Sequence, residues 1–512
     1  MKNITAKSQS LREVQLFDLC AFASLRLILF VFFIFQFTSF YSQESITSKS
    51  TQGYEIIKSR GEVVLKIAKP SNISLAQITR MLSIDKVKND TIYAYLNRKE
   101  FISFLKLNIN FNVVETPQIV RTLKLSGSIW DWNQYPTYGE YVSMMDSFAR
   151  AYPSLCKIIT AGKSVKGHNI LFARISSDTT RIKPKVMYSS SMHGDEIAGY
   201  VLMLRLIEYL LKNYKSNPLV TILVDSLEIW INPLANPDGT YKGGDNDIFQ
   251  ATRLNADSFD LNRNFPDPVE GTHPDGDAVY EPETNVMMAL MNKYNFILSA
   301  NFHSGSEVVN YPWDSRPEMH PDSTWFRYIS NEYADTAQSY GRPGYFTDVD
   351  PSGITDGWAW YTVFGGRQDY MTYFHNGREV TIEIDETKMT PESELNNLWN
   401  YNYRSFLHYL QHAIYGIGKI VRTSIKSGLS ENESKIGIYP NPCNQFFLIK
   451  GLDKQPNKID IIITDISGKL VRIKSKINSD EPVFVDDLSS GIYFMTIKAD
   501  AILYRKEIII TK

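Results

Sequence analysis

The sequence predicts an α/β fold. A mostly parallel or mixed central sheet is flanked by helices, preceded by a small α/β domain and followed by a small all-β sandwich. Three observations predict it. Between residues 126 and 420, apolar strand-like runs alternate with helical runs. Residues 43–125 repeat that alternation on a smaller scale. From residue 435 onward only short alternating strands and turn signals remain. The chain has 512 residues, more than one ordinary domain holds. Its 54 basic and 56 acidic residues leave a net charge of −2, so composition supplies no basic excess for a nucleic-acid partner.

Taken in order, residues 1–42 read as a signal peptide. Lys2, Lys7, Arg12 and Arg26 precede an apolar run, Leu27–Phe35, that is short for a membrane span. Export with cleavage near Ser42 is expected, with no permanent transmembrane segment afterwards. Cys20, Cys156 and Cys443 make neither a disulfide framework nor a zinc finger, so packing must hold the fold. Residues 43–57 are polar and expected to be loose. In the accessory or propeptide-like unit that follows, VVLKIA, TIYAYL and NFNVVE read as strands, and SLAQITRMLSI and RKEFISFLKLN as helices.

In the domain at 126–420, KIITAG, ILFARIS, PKVMYSSSMHG, NFILSANFHSG and EVTIEID read as strands, and LVTILVDSLEIWINPL as a nearly continuous apolar strand. GDEIAGYVLMLRLIEYLLKNY and SELNNLWNYNYRSFLHYLQHAI have helical periodicity. Loops at the strand ends are where a site is expected. A polar linker at 421–434 leads to the sandwich at 435–512.

The chemistry concentrates in the middle domain. His193 and Glu196 lie three residues apart after a strand, a spacing that shares one side of a first helical turn. His303 closes another strand. Two imidazoles and a carboxylate are the ligand count of a catalytic zinc with one position left for water. Asn262 and Arg263 offer an amide and a planar fork suited to a carboxylate, and Arg253 could face the same cleft. Glu383 is a charge inside an apolar strand, costly without a task or a partner. A base beside a zinc-activated water is one such task.

With these residues the domain resembles the zinc metallocarboxypeptidases of the pancreatic-carboxypeptidase fold, and among them the regulatory subfamily. The resemblance implies one Zn2+ per chain on His193, Glu196 and His303, with Asp260 behind a zinc histidine. It implies that Arg253 stabilises an oxyanion, that Asn262 and Arg263 grip the substrate's terminal carboxylate, that Tyr361 caps the site and that Glu383 is the general base. NPDG at Asn236–Gly239, NYPWD at Asn310–Asp314 and GGRQDY at Gly365–Tyr370 agree. In the subfamily an Asp and a Gln floor the pocket for the last side chain and select Lys or Arg; these fall on Asp314 and Gln368. Two departures touch preference: Arg367 stands where Met is usual, and Ser304-Gly305 replaces a two-glycine segment. Arg367 could turn inward and neutralise Asp314.

The last residues resemble the sorting domains of the type IX secretion system of Bacteroidota, through IYPNPC, ITDISGKLV, LSSGIYFMTI and KEIIITK. The implied partners are peptide or protein C-termini and the secretion machinery. The implied location is secreted or cell-surface, reached through the periplasm of a Gram-negative bacterium. A cell-wall peptide carboxypeptidase or amide hydrolase of the same fold, and an inactive surface adhesin, are the competing readings.

Overall fold

The computed structural model describes residues 48–512 apart from 89, 115–127, 272–279, 419–436, 452–457, 466–469, 479–480 and 500–501. The expected signal peptide and the whole of the expected linker lie outside the described residues.

The first unit is built on four strands: β1 (Val63–Ala68), β2 (Ser83–Lys88), β3 (Thr91–Leu96) and β4 (Phe111–Val114), ordered β2-β3-β1-β4 and antiparallel throughout. Its helix Arg98–Leu105 starts in a capping box between Asn97 and Glu100 and buries Phe101 and Phe104. Two expectations change here. Residues 48–60 form a helix where a loose segment was expected, because Gly53 and Tyr54 lie against the Phe101 ring. The run read as one helix from Ser74 is helical only over Leu75–Thr79. Its end turns into β2, where Ile84 is buried and pairs with Ala94.

The large sheet contains β5 (Cys156–Lys163), β6 (Asn169–Ile175), β7 (Lys185–Ser190), β8 (Glu228–Asn232), β9 (Phe296–His303), β10 (Ser306–Tyr311), β11 (Ile354–Asp356) and β12 (Glu379–Asp385). The order is β11-β10-β12-β9-β7-β8-β6-β5. The central four, β12, β9, β7 and β8, run parallel. Antiparallel β5 and β6 close one side, and β10 pairs antiparallel with β12 on the other. The sheet is therefore mixed. The apolar stretch before β8 is not a strand throughout. Asn217 caps Leu219 and Val220, Pro218 sits in the first turn, and a helix runs to Ser226 before β8 begins.

The two faces of the sheet differ, and this positions the site. Along β9, Leu298, Ala300 and Phe302 enter the larger core, with Val380, Ile382 and Ile384 of β12 and helix residues such as Ile207 and Phe406. The intervening Ser299, Asn301 and His303 project to the opposite face, with Glu379, Thr381 and Glu383 in register.

The C-terminal region is all β: β13 (Gly437–Tyr439), β14 (Phe446–Lys450), β15 (Ile459–Asp465), β16 (Leu470–Ile477), β17 (Val483–Phe484), β18 (Gly491–Ala499) and β19 (Ile502–Ile510). They form sheets β13-β14-β17 and β16-β15-β18-β19 around Phe447, Ile461, Ile463, Met495 and Ile497. Among the described residues no helix is long and apolar enough to cross a membrane. Cys156 and Cys443 are buried and free.

Candidate active site

The site gathers where β7, β9 and β12 end. Beyond β7, His193 and Glu196 lie in a turn and not in a helix. The helix begins only at Ala198, and Glu196 N–H donates to His193 O at 3.2 Å. This corrects the expected helical placement. The cause is tertiary: a Cβ on Gly194 would stand 2.3 Å from the backbone of Gly239, so the turn is pressed against the Asn236–Gly239 loop. Thr240 Oγ1 donates to Gly194 O at 2.9 Å, and Asn236 Nδ2 to Met192 O at 3.2 Å.

The turn brings His193 Nδ1 within 2.9 Å of Glu196 Oε1. From the end of β9, His303 Nδ1 comes within 2.7 Å of Glu196 Oε2 and 3.1 Å of His193 Nδ1. These three residues are buried, and their ligand atoms all lie within 4.8 Å of one another, a set able to hold a metal ion. Glu383 follows on the neighbouring strand, directly in register with His303 and 9% exposed.

Electrostatics suit a cation. Burial pushes the His303 imidazole down to about 4, outweighing the pull of Glu196, so its neutral form presents a lone pair. Burial would raise Glu196 and Asp260. Instead His193, Lys388 and His303 hold Glu196 well below the usual carboxylate range, and Arg253 and His193 do the same for Asp260. The outer ring nitrogens are held too: His193 Nε2 is 3.0 Å from Asp260 Oδ1, and His303 Nε2 is 2.7 Å from the Asn301 amide. With Nδ1 turned to a metal, both Nε2 atoms would carry the proton, and the Asn301 amide would turn its carbonyl oxygen toward His303. The residues present fit a zinc ion.

Asp260 also organises the next group. Its Oδ2 accepts from Arg253 Nε at 3.1 Å, and its Oδ1 accepts from Asn262 N–H at 2.8 Å. Arg253 Nη1 reaches Glu196 Oε1 at 3.2 Å, and Arg263 Nη1 donates to Asn262 O at 2.9 Å. Asp314 follows the end of β10, its Oδ1 accepting from Asn310 Nδ2 at 2.9 Å and Gln368 Nε2 at 3.0 Å. A Cβ on Gly357 would meet that oxygen at 1.9 Å, so a glycine is needed beside it. Burial, then the nearby Asp369, push the Asp314 carboxyl well above its ordinary range. Tyr361 is half-buried on the loop after Trp360, its N–H on Gly357 O at 3.1 Å.

Arg367 does not turn toward Asp314. Its Nε donates to Glu379 Oε1 at 2.8 Å, with both side chains fully buried. Sequence reasoning missed this pair. It also missed Asp369, which accepts from the N–H groups of Asp314 and Ser315 at 3.0 Å, and Lys388, whose Nζ is 2.7 Å from Glu196 Oε1. A basic residue just past the strand that carries Glu383 was the available signal for Lys388.

Residues 141–405 match the family described as zinc carboxypeptidase, and residues 437–511 match the secretion system C-terminal sorting domain. Carboxypeptidase D of Homo sapiens is 39% identical over 287 residues, covering 53% of this chain and 20% of its own length. The chain thus spans about a fifth of that relative. The carboxypeptidase N catalytic chain of Homo sapiens is 30% identical over 356 residues, covering 62% of this chain and 74% of that one. A crystal structure of carboxypeptidase A from Helicoverpa armigera superposes with a TM-score of 0.56 at 18% identity, covering 70% of this chain and 99% of that one, a likeness of fold. The match over the segment that builds this His-Glu-His cluster is the conclusion the geometry had prepared: the chain belongs to the zinc carboxypeptidase family.

Proposed function

We propose that the protein is a zinc-dependent exopeptidase that hydrolyses the C-terminal peptide bond of peptides or proteins, preferring Lys or Arg at the end. The observation that carries this reading is the register of Glu383 with His303, which sets a carboxylate beside a three-residue metal site.

A zinc ion held by His193, Glu196 and His303 would supply a Lewis acid and lower the pKa of a water toward neutrality. Glu383 takes the proton of the attacking water and hands it to the leaving amine. Arg253, beside Glu196, donates to the oxyanion that develops on the scissile carbonyl. Arg263 and Asn262 hold the terminal carboxylate, so an internal bond, which has none, is refused. Tyr361 covers the bound residue. Asp260 holds His193 in the ligating tautomer. A Lys or Arg side chain meets Asp314 and Gln368. The buried pairing of Arg367 with Glu379 supports this preference, since Asp314 is not neutralised from that side.

The remaining organisation is part of the proposal. Residues 1–42 direct export and are removed, 43–125 form an accessory or propeptide-like domain, 126–420 are catalytic, and 435–512 address the chain to the secretion machinery. The enzyme then acts outside the cell or on its surface, after passage through the periplasm of a Gram-negative bacterium. The test is release of the last residue from peptides ending in Arg by the purified protein, abolished by a chelator and restored by zinc. An active preparation indifferent to chelation would reject the metal mechanism.

A further inference from the structure

Strand register builds a polar layer beneath the site. Ser189 of β7 is in register with Asn301 of β9, and Ser299 of β9 with Glu379 of β12. All four are 0% exposed, as is Arg367. A guanidinium in such surroundings is costly unless its donors meet acceptors in good geometry. Arg367 Nε donates to Glu379 Oε1 at 2.8 Å, and Nη1 donates to Ser189 Oγ. Glu379 Oε2 accepts from Ser299 Oγ at 2.6 Å.

The chain of contacts continues to the metal site. Ser189 Oγ is 3.4 Å from Asn301 Oδ1, and Asn301 Nδ2 is 2.7 Å from His303 Nε2. Turning the amide so that its oxygen faces Nε2 brings its nitrogen to Ser189 Oγ, and the connection persists. The other side of Arg367 faces the substrate-binding groups. Its backbone N–H donates to Asn262 Oδ1 at 3.0 Å, and the adjacent Gln368 reaches Asp314. One residue thus stands between the candidate clamp, the candidate pocket floor and a candidate metal ligand.

We propose that Arg367 is a positioning residue, whose pairing with Glu379 fixes the start of helix Arg367–Phe374 so that Asn262 and Gln368 stay in register with His303. The proposal rests on the carboxypeptidase reading above. A pair that merely filled space would be replaceable by two apolar side chains without effect on binding.

The experiment uses the full chain. Arg367→Met/Glu379→Met removes both charges together and leaves no buried ion alone. Arg367→Lys keeps the charge but loses the planar fork. For each folded variant, zinc affinity is measured by chelator competition, and KM and kcat on a peptide ending in Arg. Zinc affinity is expected to fall roughly tenfold in the double variant. KM should rise roughly tenfold with kcat changed less, and Arg367→Lys should show smaller shifts of the same sign. Wild-type zinc affinity or wild-type KM in the folded double variant overturns the proposal; if that variant does not fold, the same result in Arg367→Lys does. Should the wild type release no terminal residue, the carboxypeptidase reading fails instead, and zinc affinity alone decides the role of Arg367.

Discussion

Arg367 pairs with Glu379 across 2.8 Å, although the residue beside it, Gln368, bonds to Asp314. Two neighbours in sequence therefore serve different carboxylates on different elements. The pairing removes Arg367 as a competitor for Asp314, the candidate floor of the pocket for the last side chain.

Replacing that acid tests the preference. Asp314→Asn keeps the shape and the contact to Asn310 but lacks the charge. A lost charge-assisted contact is worth about 1.5–3 kcal/mol, so kcat/KM for C-terminal Arg is expected to fall roughly 10- to 100-fold, and to change little for C-terminal Leu. Steady-state kinetics on two peptides differing only in the last residue check it. Equal losses on both would remove Asp314 from specificity.

The same carboxyl is expected to make selectivity depend on pH. Burial and Asp369 hold Asp314 well above the usual carboxylate range. Below its pKa it is protonated and no longer attracts a cation. The Arg-over-Leu ratio is therefore expected to rise with pH. A flat ratio would contradict the assignment.

Metal binding separates ligand from support. His303→Ala removes a candidate ligand and should abolish stoichiometric zinc in metal analysis. Asp260→Asn, which keeps the candidate ligands but weakens the hold on His193 Nε2 and the pairing with Arg253, should cost roughly 10- to 100-fold in affinity. Full zinc content in His303→Ala would sink the site.

A second acid test concerns stability. His168 Nδ1 is 2.6 Å from the buried Asp238 and Nε2 is 3.0 Å from Asp245. The bond to Asp238 raises its pKa against the cost of burial. A raised folded-state pKa gives stability that is complete below the unfolded value of about 6.5 and fades as pH rises through the folded one. His168→Gln should lose about 1.5–3 kcal/mol at pH 6 and less at pH 9, read by urea unfolding at both. A loss that did not shrink at pH 9 would assign the contact to packing.

Much of this site was legible because strands alternate. In EVTIEID, Glu379, Thr381 and Glu383 face one side and Val380, Ile382 and Ile384 the other, so a charge at Glu383 pointed to a working face. His303 closed a strand in the same way. The turn at His193–Glu196 was misread as helix because the restraint on Gly194 comes from Gly239, distant in sequence. The helix at 218–226 hid in an apolar run whose only local signals were Asn217 and Pro218. The pairing of Arg367 with Glu379, and the roles of Asp369 and Lys388, were missed for a related reason: the partners lie on other elements, and spacing along the chain carries no trace of them.

Glu383→Gln isolates proton transfer. The amide keeps the shape and loses the proposed base, so zinc content and fold should persist while kcat falls by about 10²–10⁴-fold. Near-normal turnover would move the base elsewhere.

On the proposed reading, a free terminal carboxylate is gripped beside a metal-dependent centre. The most direct measurement incubates the purified protein with one peptide ending in Arg, as the free acid and as the amide, with and without chelator, and reads products by mass spectrometry. Loss of a single residue is expected from the free acid, none from the amide, and none from either after chelation. Comparable cleavage of the amide, or fragments from internal bonds, would contradict it.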